Sequence, residues 1–430
     1  MKKVARKRSK KEVVGPAVSA VPQQRVLPLA EILVRAGEEL RELVMSTGLQ
    51  VFDAMLEEDR EALCGPRSAP SRERRAYRHG YDRGRVVLGG RKVTISKPRV
   101  RDVEGREVAL PSWEEMRGED PLSSRMLNQM MVGVSTRKYE RSLEELPLEM
   151  RSVAVKKSSV SRRFVARTSE QVAEFLSRPL DSLDVPVILL DGTQMGKSVI
   201  VVALGIDSTG RKHVLGVQEG STESHGVCRS LLRNLVRRGL EADRPRLFVV
   251  DGGKGLLKAI RLSFGAWAAI QRCHFHKARN VVDHLPKDKQ AWMRHQLRAV
   301  WKMVDATAAR RKMEGLARSL EEEHPGAAAS LREGIEEIFT LQELGIEGRL
   351  YRSLHTTNPI ENLQGRLKDI ARRVKRWRGG SMALRWGVSG LLEAEKKFRR
   401  INGYTDMPTL LAALRRRALE AGLLKESHIA

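Results

Sequence analysis

Cysteine is scarce in this chain: Cys64, Cys228 and Cys273 are the only three in 430 residues, and their spacing does not repeat. That excludes a disulfide framework and fits a reducing interior. No uninterrupted apolar run reaches membrane-spanning length, and the N-terminus has no signal-peptide core, so a soluble, cytoplasmic protein is expected. Acidic residues are outnumbered, 53 Asp and Glu against 79 Lys and Arg, which leaves a formal net charge of +26. The basic residues are spread along the chain rather than gathered in one tail, and this points to a polyanionic partner. No long basic helix carries an aromatic face, so nucleic acid is expected before a membrane surface. A charged surface with no dedicated partner is the blander explanation.

What is present centres on VPVILLDGTQMGKSVI, residues 185–200. Val187 to Leu190 is a short, continuously apolar run after a proline, and it predicts a strand buried on both faces. Asp191 stands at its exit. Ser198 to Leu204 and His213 to Val217 predict two more strands, with a turn at Asp207–Gly210, so the stretch reads as a β-meander. GTQMGKS is not a phosphate-binding loop. Only three residues separate Gly192 from Gly196, and the following segment is strand-like where a helix is required.

Along the chain, Lys2 to Lys11 is a basic run expected to be disordered. The apolar spacing from about Leu27 to Leu63 suits two amphipathic helices, for DNA binding or for dimerisation. Residues 67–85 are very basic, Arg75 and Arg78 among them, with Tyr77, His79 and Tyr81 interleaved. This mixture fits phosphate contact with stacking, or a solvated loop. A small hairpin is predicted across Gly89-Gly90. Helical patterns over 122–134, 135–146 and 152–175 suggest a helix-turn-helix, with Arg162 and Arg163 pointing outward from a helix capped by Ser158 or Ser159; an ordinary helical hairpin fits as well. After the meander come a crossover helix over 224–238, a buried strand over 246–250 ending on Asp251, a helix over 256–262 and a strand at 268–270. Asp191 and Asp251 each follow four apolar residues. From about His276 to Arg349 the pattern is helical and charged, with Trp292 and Trp301 as anchors and a break near His324-Pro325-Gly326.

Tyr351 to Arg378 follows. Asn358 as N-cap, Pro359 in the first helical position and Glu361 three residues after the cap make a capping box, the local reading of Glu361. The same helix is expected to carry Arg366, Arg372, Arg373 and Arg376, like charges at a density that calls for a nucleic-acid counter-anion.

Taken together, DGT at 191–193, DGGKG at 251–255, RCHFHKARNV at 272–281 and TTNPIENL at 356–363 resemble the mutator-type family of bacterial insertion-sequence transposases. The resemblance implies an α/β RNase H-like catalytic domain, a mixed sheet flanked by helices, interrupted by an all-α insertion and preceded by mainly α-helical DNA-binding regions. It implies Asp191, Asp251 and Glu361 as a DDE triad that holds two Mg²⁺ ions, replaceable by Mn²⁺, for in-line attack at phosphorus by water and then by a DNA 3′-hydroxyl. Cys273 and His276 match the family's C-x-x-H signature. They are read as packing or contacting DNA, His276 the better candidate for contact, with Arg272, Lys277 and Asn280 flanking the duplex. Zinc there would need further ligands; His274 and His284 are nearby, but no second cysteine pair exists. The role of His274 stays open.

The implied organisation is a basic tail over 1–26, a DNA-binding or dimerisation region over 27–120 and a helix-turn-helix-like region over 121–180. The catalytic domain then occupies 181–275 and 351–430, around a helical insertion over 276–350. The expected partners are double-stranded DNA, as element ends and target, and a second copy of the chain, with a nucleoid location in a bacterium. A catalytically inactive DNA-binding regulator and an RNase H-like nuclease without strand transfer are the alternatives.

Overall fold

The apolar spacing over 27–63 predicts two helices, but residues 29–63 lie in a single one, α1 (Leu29–Cys64). The computed structural model describes residues 29–68, 76–88, 91–118, 121–143, 152–153 and 156–425. Gly48 does not break α1, because one interior glycine costs a helix only about 1 kcal/mol. Strands β1 (Ala76–Leu88) and β2 (Arg91–Asp102) pair beside it, and Glu107–Val108 adds a short third strand through Val100↔Val108. Helix α2 (Pro111–Gly118) closes this unit over Phe52, Leu56, Val86, Ile95, Val100 and Trp113. A Cβ on Gly84 would lie 2.4 Å from the Trp113 ring, so only glycine admits that indole.

The first of the chain's two compact units is therefore mixed α/β rather than mainly helical, and the basic stretch that reads as a loop is largely strand. Tyr77 and Tyr81 are half-exposed on β1. Arg78 donates to the Gly65 carbonyl at 3.0 Å. The tail over 1–26, Arg75 and the Gly89-Gly90 turn lie outside the described residues.

In the second unit α3 (Pro121–Met131) is followed by turns and a 3₁₀ turn (Glu140–Ser142), not by the helix predicted over 135–146. Helix α4 (Lys157–Ser177) buries Val160, Phe164, Thr168 and Phe175. Residues 132–156 separate α3 from α4, whereas a helix-turn-helix takes a turn of about three or four residues. Ser158 and Ser159 fall inside the first turn of α4, whose N-cap is Lys156. Arg162 is exposed on this helix and Arg163 half-exposed.

The central apolar runs form one five-stranded sheet, ordered β5-β4-β3-β6-β7: β3 (Val187–Met195), β4 (Ser198–Ile206), β5 (Lys212–Gly220), β6 (Arg246–Val250) and β7 (Ala268–Arg272). The meander pairs antiparallel, whereas β3–β6 and β6–β7 are parallel. Helix α5 (His225–Arg237), N-capped by Ser224, makes the crossover, and α6 (Lys254–Phe264) leads from β6 to β7. Alternation along β3 splits the core in two. Val187 and Leu189 join α12 (Asn358–Ala371) and α13 (Gly380–Glu395) on one face, while Ile188 and Leu190 join α5 and α6 on the other. Each of these fully buried side chains contributes on the order of 2 kcal/mol.

After β7 the described residues are helical: α7 (His274–Val282), α8 (Lys287–Trp301), α9 (Ala306–Leu320), α10 (Pro325–Arg332), two single turns at Ile335–Ile338 and Thr340–Glu343, and α11 (Gly348–Leu354). Val281, Met293, Leu297, Met313, Leu331 and Phe339 make a hydrophobic cluster of their own here. Trp301 packs against it as expected, but Trp292 is 43% exposed and anchors nothing. The free edge of β7 is sewn to this helical segment. Thr340 Oγ1 donates to the Ile270 carbonyl at 2.6 Å, Gln271 Nε2 donates to Ile338 O at 2.8 Å, and Leu341 N–H donates to Gln271 Oε1 at 3.0 Å. No described helix is long and apolar enough to cross a membrane.

Candidate active site

Asp191 is not at a strand exit, because β3 continues to Met195. It stands where parallel pairing ends. The last β3–β6 pair is Leu190↔Val250, so the next residue on each strand is an aspartate, and Asp191 and Asp251 come side by side. Alternation turns Asp191 toward the α12 face and Gly192 toward the α5 face. Each aspartate also accepts a local backbone hydrogen bond: Asp191 Oδ1 from Gly192 N–H and Asp251 Oδ1 from Gly253 N–H, both at 2.9 Å.

A third carboxylate, Glu223, joins them just before α5. One oxygen from each of Asp191, Glu223 and Asp251 lies within 4.8 Å of the others. Burial, reinforced by Asp251, pushes the Asp191 carboxyl up to about 6; burial with Asp251 and Asp191 pushes Glu223 up to about 7. Sequence reasoning missed Glu223. Its segment, GSTES, looks like any polar turn before a helix, and only the meander's return brings it to the aspartates.

Glu361 belongs to a neighbouring group with Cys273 and His276. The N-cap of α12 is Thr357, so Glu361 lies in the fourth helical position and forms no capping box. The Thr357 N–H, which a box would pair with the glutamate, donates instead to Cys273 Sγ at 3.4 Å. The Thr357 hydroxyl donates to Glu361 Oε1 at 2.6 Å and lies 3.4 Å from His276 Nδ1. Thr357 is fully buried and is the hub of this group, which the helix-start pattern alone does not reveal. Cys273 hydrogen-bonds His276 and, with the nearby carboxylates, raises the imidazole to about 9. Burial alone would raise the Cys273 thiol, but hydrogen bonds from His276 and Thr357 outweigh it and the thiol is lowered. Zinc gains nothing from the two other histidines. His274 is stacked on Trp301 at 4.4 Å, bonded to the Ile338 carbonyl and pushed down to about 3 by burial, and His284 lies against Gly326.

Two residues expected beside DNA are turned inward. Lys277 is 2% exposed and donates to the Ser330 and Glu333 carbonyls at the end of α10, with burial lowering it to about 8. Arg272 donates to Glu337 at 2.7 Å, pairs with Glu333 at 3.5 Å and packs on Gly252 and Gly334, where a Cβ would lie 3.2 and 2.3 Å from its guanidinium carbon. Removing Arg272 leaves the nearly buried Glu337 with the exposed Arg261 as its counter-charge and takes away the guanidinium packed between the two glycines. Arg272→Met is therefore expected to lower stability by about 3 kcal/mol, read by denaturant unfolding, and to leave nucleic-acid affinity of the folded protein unchanged; a loss confined to affinity would refute this. The expected basic helix ends at Ala371. Arg366 is exposed on it, and Arg372, Arg373 and Arg376 are exposed in the segment beyond, where Arg373 donates to the Gly133 carbonyl.

Comparison with known proteins accords with these motifs. The family described as Transposase, Mutator family, matches residues 26–397. The transposase for insertion sequence element IS256 in transposon Tn4001 of Staphylococcus aureus is 28% identical over 343 residues, covering 76% of this chain and 82% of its own. That for element IS1081 of Mycobacterium tuberculosis is 28% identical over 357 residues, 80% and 81% of the two chains. That for ISRM5 of Rhizobium meliloti is 26% identical over 391 residues, 88% and 94%. With the match spanning both compact units, the chain belongs to the Mutator family of transposases.

Proposed function

We propose that this transposase binds the terminal inverted repeats of an insertion sequence and cuts and joins DNA strands at an RNase H-like, DDE-type site built from Asp191, Asp251 and Glu361. The observation that carries the reading is the parallel register Leu190↔Val250, which sets two aspartates at adjacent strand positions facing a glutamate-bearing helix. The meander followed by two parallel strands supports the RNase H-like assignment, and the separate core over 281–339 supports a helical insertion. The donor set fits Mg²⁺ or Mn²⁺. It offers hard carboxylate oxygens, and Glu223 Oε1 is buried without a hydrogen-bond partner. Asp191, Asp251 and Glu361 would be the residues that hold the ions. When bound, the ions supply activation of the attacking oxygen and stabilisation of the leaving one.

The chain's residues do the rest. Thr357 fixes the Glu361 carboxylate through its hydroxyl. His276, protonated at neutral pH, sets a positive charge 3.9 Å from Glu361 Oε1. Without a cation, burial makes Asp191 hold its proton to about pH 6. Arg366, Arg372, Arg373 and Arg376 offer an exposed basic surface to the phosphate backbone, and Arg78, Arg162 and Arg163 add further contacts. Two element ends must be paired before joining, so an isologous homodimer is the working assembly.

The test uses labelled duplexes carrying the inverted repeats of the flanking DNA. Cleavage and joining that require Mg²⁺ or Mn²⁺, stop with a chelator and return when metal is restored are expected. Stable binding without any strand cleavage under these conditions would instead indicate a DNA-binding regulator.

A further inference from the structure

We propose that Glu223 is a fourth carboxylate of the metal site and holds one divalent cation together with Asp191 and Asp251 before DNA arrives. The proposal rests on the metal-site reading above and adds a residue to it.

Three observations converge. Glu223 offers an oxygen within 4.8 Å of oxygens from both aspartates. Its Oε1 is buried with no hydrogen-bond partner, a state whose desolvation cost a cation would offset. The backbone has also been cleared for it. A Cβ on Gly192 would lie 2.5 Å from Glu223 Oε2, and one on Gly255 would lie 2.8 Å from the His225 nitrogen and 3.4 Å from the Glu223 carbonyl. Two glycines, each next to or near a motif aspartate, thus press residues 223–225 against the ends of β3 and β6. The last turn of the meander and the Ser224 cap of α5 fix the segment from its own side. A Mg²⁺ site usually takes only one or two protein carboxylates and completes its shell with water and substrate phosphate. A third carboxylate on the same cation gives the protein affinity for it without phosphate.

Mn²⁺ titration of the full chain without DNA, followed by electron paramagnetic resonance, reads this directly. Wild type is expected to bind, Asp191→Asn to lose binding, and Glu223→Gln to weaken it by about 10-fold or more. Gly192→Ala provides the check if Glu223→Gln misfolds. Its methyl meets only the far end of a flexible side chain and a valine methyl, so it displaces the Glu223 carboxylate while retaining its charge, and binding should again weaken. If both Glu223→Gln and Gly192→Ala bind Mn²⁺ like wild type while Asp191→Asn does not, Glu223 only shapes the loop and the proposal fails alone. If Asp191→Asn binds as wild type does, the metal-site reading fails with it.

Discussion

Glu361→Gln is expected to leave α12 and the fold intact while strand cleavage and joining fall by about 10³-fold, the equivalent of about 4 kcal/mol. The substitution isolates charge from shape. Glutamine keeps an oxygen to accept from the Thr357 hydroxyl, which donates to the glutamate at 2.6 Å. It removes the negative charge that faces His276 Nδ1 at 3.9 Å and that a cation would need. Helix stability is not at stake, because Glu361 lies one position beyond the capping-box site and the N-cap N–H is already taken by Cys273. Circular dichroism and a cleavage assay on the same preparation decide the matter. Full activity would remove Glu361 from the triad and leave Glu223 as the acid beside the two aspartates.

Asp191→Asn is expected to abolish cleavage and, in metal-free buffer at pH 7.5, to raise the melting temperature. Burial, then Asp251, lifts this carboxyl from its ordinary 3.8 to about 6. Between those values the unfolded chain releases its proton first, so stability falls as pH rises through the window and stays low above it. The ionised carboxylate then costs as much as about 3 kcal/mol, which asparagine does not incur. A gain on the order of 5 °C follows. It should shrink at pH 4, where native Asp191 is protonated and the unfolded chain's carboxyl is close to its midpoint. Mg²⁺ should stabilise wild type and not the variant, since a ligand that binds only the native state adds stability by mass action. A variant that melts below wild type at every pH would mean that the fold uses the Asp191 charge.

The strands were legible because β3, β4 and β6 are short apolar runs closed by turn residues, a pattern with few alternatives. Asp191 and Asp251 were legible as candidates from their place after such a run. Glu223 and Thr357 were not, because what distinguishes them is a neighbour far off in the chain: Asp251 for the first, Cys273 for the second. Helix boundaries misled in two directions. The apolar spacing over 27–63 suggested two helices where one 36-residue helix runs, and Asn358 was read as the cap although Thr357 holds that place. Lys277 and Arg272 failed for a different reason. Charge counts cannot tell a solvated cation from one spent on carbonyls and carboxylates inside the protein.

The seam between β7 and residues 338–341 sets a limit on how this architecture can be rebuilt. A helical segment that follows a sheet is usually thought of as detachable, yet here it supplies part of the cover for the sheet's last strand. Cutting it away would leave the Ile270 carbonyl and the Gln271 amide without these partners, on a strand edge open to pairing with another molecule. A chimaera drawn from two relatives is therefore expected to fold best when the strand and its seam come from the same parent.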